Sequence, residues 1–146
     1  MSQQKRLMSQ SGPRLIDVFF YGLFMDEALL REKGLNPTNR GLAAVENFAL
    51  VITQRATLIP SAGNVVHGVV FSLTHDEVDS LYAAPSVSMY RPEAVLARLP
   101  NGNSIPCLCF NLPTVNTTDE RNAEYAAKLR ALATRLNLPP SYIQKI

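Results

Sequence analysis

Pro100-Asn101-Gly102-Asn103 separates two apolar runs, Tyr90–Leu99 and Ser104–Leu112. Asn-Gly between alternating apolar segments is the strongest short-range hairpin signal, so the two runs are expected to fold back on each other as antiparallel strands. That commits residues 90–112 to sheet. Other segments have the same character: Asp17–Phe24 is aromatic and β-branched, Phe48–Gln54 is followed by Ala56–Ile59, which ends at Pro60, and Val65–Leu73 follows the turn signal Ala62-Gly63-Asn64. Counted this way, the chain carries about six strands.

Short helices interrupt them. Asp26 is placed to N-cap EALLREK, which Gly34 stops. Thr74 and Glu77 form a capping box ahead of Val78, Leu81 and Tyr82, which share one helical face. Thr117 and Glu120 repeat that signature before Tyr125, Leu129, Leu132 and Leu136, an apolar stripe ending ahead of Asn137-Leu138-Pro139-Pro140. The apolar ending Tyr142-Ile143 is expected to dock back on the body. The class is α+β: a polar leader over residues 1–14, then a single domain over 15–146.

At 146 residues the chain matches the one-domain prior of roughly 150 residues. With 47% apolar and 18% charged residues it is globular, and a net charge of +2 argues against a nucleic-acid partner. No run is long and apolar enough for a membrane span, so a soluble, cytoplasmic protein is expected. Cys107 and Cys109 fall on one strand face and read as reduced core thiols. With them His67 and His75 form no metal-ligand spacing, so no metal is expected, and His67 reads as a core or rim histidine. No pattern specifies an oligomeric state.

Four segments, in order, resemble the γ-glutamylcyclotransferase-like proteins, with their AIG2-like and ChaC-like branches. Phe20-Tyr21-Gly22 resembles the family's first-strand Tyr-Gly motif. Ala56–Pro60 with Gly63 and Val66-His67-Gly68-Val69-Val70-Phe71 resembles its central stretch. Val78-Asp79-Ser80-Leu81-Tyr82 with Tyr90-Arg91 resembles the Leu-Asp-x-x-Glu segment and the tyrosine that opens the next strand. Leu136–Ile143 is similar to the Leu-Pro and Tyr ending of the ChaC-like branch. The resemblance implies a small mixed β-barrel with short helices and a pocket at one end, no metal or organic cofactor, and a small γ-glutamyl or amino-acid-derived ligand as partner. It also implies a reaction in which the substrate's α-amino group attacks its own γ-carbonyl and releases 5-oxoproline.

On this resemblance Tyr21, Gly22, Leu23, Phe24 and Tyr90 are the candidate ligand-binding residues. Arg55 is a candidate for attracting a carboxylate, beside its plainer reading as a surface arginine. Two departures stand out. Leu23 replaces the family's small polar residue, and Tyr82 falls where the family carries its catalytic Glu. A phenol of pKa ~10 is a poor acceptor for an ammonium proton at pH 7. Asp79 and Glu93 are the candidate substitutes, although Glu93 is also placed to pair with Arg91 on its own strand face. Glu77 is accounted for by its capping box. Two readings stay open: a pocket with cyclotransferase chemistry, or a non-catalytic relative that binds a metabolite or a partner.

Overall fold

The computed structural model describes residues 13–146, so all but the last two positions of the expected leader lie outside the described residues. Five strands close a barrel in the order β1-β3-β2-β4-β5. They are β1 (Leu15–Phe20), β2 (Thr38–Ile52), β3 (Ala56–Thr74), β4 (Arg91–Arg98) and β5 (Ser104–Asn111). Neighbours run antiparallel except β1 and β5, which meet in parallel at Val18 and Leu108, so the barrel is mixed.

The count is five rather than about six because Ala56–Ile59 and Val65–Leu73 belong to one strand. Gly63 (φ +82) does not reverse the chain. Its N–H donates to Asn47 Oδ1 at 3.1 Å, Asn47 itself has φ 66, and the β2–β3 register shifts between Glu46 and Phe48. The turn chemistry is spent on a bulge that bends both strands. The N-terminal half of β2, Thr38–Glu46, gives little sign of itself in sequence; its partners Val65–Ser72 supply the apolar character. The hairpin across Asn101-Gly102 forms as expected, from Arg98 paired with Ser104 to Arg91 paired with Asn111.

Two further boundaries differ from the sequence reading. β1 ends at Phe20, and Leu23–Met25 make a single 3-10 turn closed by Met25 N–H to Gly22 O at 3.0 Å. Helix α1 (Glu27–Glu32) follows, with the Asp26 side chain accepting from Ala28 N. The capping box at Thr74 is present at the start of α2 (His75–Ala83). The longest helix, α3 (Ala123–Arg135), is capped by Asn122 instead of Thr117. The Thr118 amide and hydroxyl both donate to Asn116 Oδ1, which uses that stretch as a separate turn.

Inside the barrel, Val95, Ala97, Cys107 and Cys109 are buried, alternating with exposed Ala94, Leu96 and Pro106. Both cysteines are free thiols, and burial pushes each up to about 12, so they are inert core groups at neutral pH. Gly68 is required by a close approach: a Cβ there would overlap the Phe20 carbonyl oxygen and touch the Phe19 ring. After α3, Leu138, Tyr142 and Ile146 are buried, the last two in or just beyond the short helix α4 (Pro140–Ile143). The Tyr142 ring packs edge-on against His67 at 5.1 Å, and burial with Arg98 nearby lowers the pKa of that half-buried histidine. No helix among the described residues is long and apolar enough to cross a membrane.

Two outcomes follow for stability. Gly68→Ala should cost about 3 kcal/mol in urea unfolding, because the obstacle is backbone and cannot step aside. Deleting residues 138–146 should remove about 3 kcal/mol or more, lowering the melting temperature by roughly 10 °C. Unchanged unfolding in either variant would contradict the packing described.

Candidate ligand pocket

The bulge at Asn47 and Gly63 carries the tip of the β2–β3 hairpin across to the end of β5. There it is fastened from several directions. Leu58 N–H donates to the Asn111 side chain at 3.2 Å, and Leu112 N–H to Thr57 Oγ1 at 2.9 Å. Asn122 N–H donates to Thr53 O at 2.8 Å and its side-chain amide to Gln54 O at 3.2 Å. The tip thus becomes a wall facing the Gly22–Met25 turn, and between them lies a cavity of about 520 Å³.

Tyr21, Gly22, Leu23, Phe24, Tyr82 and Tyr90, distant in sequence, all line it. Gly22 is glycine for a reason the sequence does not show. The Tyr125 hydroxyl sits 2.5 Å from where its Cβ would stand. Tyr82 stacks on Phe110 with centroids 4.0 Å apart and planes 14° apart, and meets Phe24 edge-on at 6.1 Å. Arg55 lines the cavity and anchors its Nε on Ser86 O at 3.1 Å.

Asp79 and Glu93 are not among the lining residues. Asp79 is exposed on α2. Glu93 is engaged by the Asn111 side-chain amide, and the pairing with Arg91 read from sequence is not made: that guanidinium donates to the carbonyls of Ser88 and Tyr90. Lys33, Gln54, Phe110 and Tyr125 also line the pocket and were missed as site residues. Tyr125 alone carried a signal, being the one polar-tipped member of the α3 stripe. Among the described residues no cluster of three or more His, Cys, Asp or Glu is placed to hold a metal.

The lining contains no Asp or Glu. Residues 1–12 contain none either, so that segment has no acid to contribute. The pocket's titratable groups are two cations and four phenols. Burial raises the pKa of Tyr21, Tyr82 and Tyr125, and takes Tyr90 up to about 12 against the pull of Arg55. All four are neutral donors at pH 7. Tyr21 spends its proton on Phe110 O at 2.7 Å and Tyr90 on Ala56 O at 2.5 Å. Tyr125 instead accepts the Leu23 N–H at 3.4 Å, which leaves its own proton available.

Residues 18–128 match the model of the family described as gamma-glutamyl cyclotransferase, AIG2-like. A solved structure of a γ-glutamyl cyclotransferase superposes over 90% of this chain and 86% of its own, with a TM-score of 0.74 at 20% identity. An uncharacterized human protein superposes over 90% and 85% with a TM-score of 0.75 at 22% identity. A mouse AIG2-like protein does so over 77% and 82% with a TM-score of 0.58 at 20% identity. At these identities the likeness is one of fold. No curated protein is similar enough to the chain to match it.

The phenols give a pH test. All five tyrosines of the chain, Tyr142 included, have a raised pKa in the folded state. A group whose folded pKa lies above its unfolded value of ~10 contributes stability in full below that pH and loses it as pH rises through the folded value. Absorbance at 295 nm should therefore show little phenolate between pH 9 and 11, then a steep rise together with unfolding near the Tyr90 value of about 12. Ordinary titration centred on pH ~10 in the folded protein would contradict the burial.

Proposed function

The chain belongs to the gamma-glutamyl cyclotransferase, AIG2-like family, and from that premise we propose that its pocket binds a small γ-glutamyl or amino-acid-derived molecule by its carboxylate, without cyclising it. The observation that carries this is the absence of any carboxyl group from the pocket lining. Cyclisation to 5-oxoproline needs a group that takes a proton from the substrate ammonium and gives one to the leaving amine. A phenol held above its ordinary pKa accepts no proton at pH 7, and Tyr82, the position read from sequence as the acid's, is such a phenol.

The candidate substitutes do not repair this. Glu93 is committed to Asn111 and Asp79 is exposed on α2, both outside the lining. Leu23 in place of a small polar residue removes a further donor from the turn. What the pocket does offer is binding chemistry. Among the described residues Arg55 is held by Ser86 O through Nε alone, which leaves its terminal nitrogens to grip a carboxylate in the two-pronged manner guanidinium groups favour. Phe24, Tyr82 and Phe110 provide an apolar wall for the rest of the molecule.

Incubating the protein with a panel of γ-glutamyl amines and γ-glutamyl amino acids should release 5-oxoproline no faster than buffer does. Carboxylate ligands should bind, and Arg55→Gln should weaken them about tenfold with little change in melting temperature. Turnover of any panel member above the buffer rate would overturn the non-catalytic reading and make Glu93 the residue to mutate next.

A further inference from the structure

We propose that the pocket selects acids whose nitrogen is acylated, as an amide or lactam, over the same acids with a free α-amine. This rests on the reading that the cavity binds a small carboxylate, and goes beyond it by naming what the rest of the ligand must lack.

The ground is how the wall's hydrogen-bonding groups are spent. An ammonium brings three donors and a positive charge, and needs acceptors, an anion or free aromatic faces. Three wall carbonyls already accept protein donors: Phe110 O from Tyr21, Ala56 O from Tyr90 and Ser86 O from the Arg55 guanidinium. Aromatic faces are engaged as well, one each on Tyr82, Phe110 and Phe24. Tyr82 lies flat on Phe110, and Lys33 Nζ stands 6.0 Å from the Phe24 ring centre. Both cations of the lining, Lys33 and Arg55, repel a third, and no lining carboxylate balances it.

What remains open is mostly donor capacity, for the Tyr82 hydroxyl and the Gln54 amide, neither bonded to a described residue, can donate as well as accept. The Tyr125 hydroxyl accepts Leu23 N–H and so has its proton to give, and among the described residues the terminal nitrogens of Arg55 have no partner. A carboxylate and an acyl carbonyl are acceptors and match this wall. An acylated nitrogen carries no charge and one donor at most, where an ammonium carries three.

The test compares γ-L-glutamyl-benzylamide with its Nα-acetyl derivative on the full chain at pH 7, by calorimetric titration. The acetylated compound should bind about tenfold tighter or more, the penalty for burying unpaired donors. Gln54→Glu, at an exposed lining position whose side chain makes no other contact described above, puts a carboxylate into the wall and should shrink or reverse that preference. Tyr125→Phe should weaken the acetylated ligand about fivefold and leave the free amine unchanged. Equal affinities, or tighter binding of the free amine, would overturn the selectivity while leaving carboxylate binding in place. An unaltered preference in Gln54→Glu would overturn the electrostatic argument for it. Equal weakening of both ligands in Tyr125→Phe would remove that hydroxyl from the account. Binding of neither compound would overturn the pocket reading itself, and the selectivity with it.

Discussion

The bond from the Gly63 amide to the Asn47 side chain marks where the longest hairpin in the molecule changes direction. β2 and β3 pair over most of their length, and without the bulge their shared twist would carry the tip past the barrel as a free two-stranded ribbon, which is marginal in water. With it, the tip reaches the end of β5 and the start of α3. There its backbone groups find partners in Asn111 and Asn122, and one of its carbonyls finds Tyr90. Each of those bonds joins segments far apart in sequence, so the pocket wall exists only when the barrel, the hairpin and α3 are all in place.

The same bonds decide the polarity of the cavity. A buried carbonyl left open costs free energy, and the fold closes Phe110 O and Ala56 O with phenol protons. The hydroxyls used for this have no proton left for a ligand. Tyr125 differs because its oxygen is an acceptor, and Gly22 is glycine because that oxygen fills the space a side chain would take. The stability of the wall and the ligand chemistry it can meet are therefore set by one allocation of protons.

Much of the fold was legible in the sequence where local chemistry decides it. The Thr74 capping box, the Asp26 cap, the Asn101-Gly102 hairpin and the reduced thiols Cys107 and Cys109 each depend on residues a few positions apart. What was misread depends on partners far away. Ala62-Gly63-Asn64 has the residues of a turn, and only Asn47 across the hairpin makes it a bulge. Thr117 has the residues of a cap, and only the docking of Asn122 on Thr53 and Gln54 moves the helix start. The site divides in the same way. Seven of the candidate residues, Arg55 included, line one cavity because the end of β1, the β2–β3 tip, α2 and the start of β4 meet there, whereas Lys33, Gln54 and Tyr125 arrive by packing angles that no local pattern records.

Tyr82 links these threads. Stacked on Phe110 and edge-on to Phe24, it fills volume and holds the wall rigid, which a carboxylate of smaller area could not do in an apolar setting. A glutamate there would lose the ring stack and be desolvated, which disfavours its charged form and costs packing. A chain that needs the aromatic stack gives up the acid, and one that needs the acid must surround it with groups that satisfy it. The surroundings here are rings, two phenols bonded to carbonyls and the Tyr125 hydroxyl. They fit the proposal of a pocket that grips an anion at its rim and leaves the captured molecule's bonds intact.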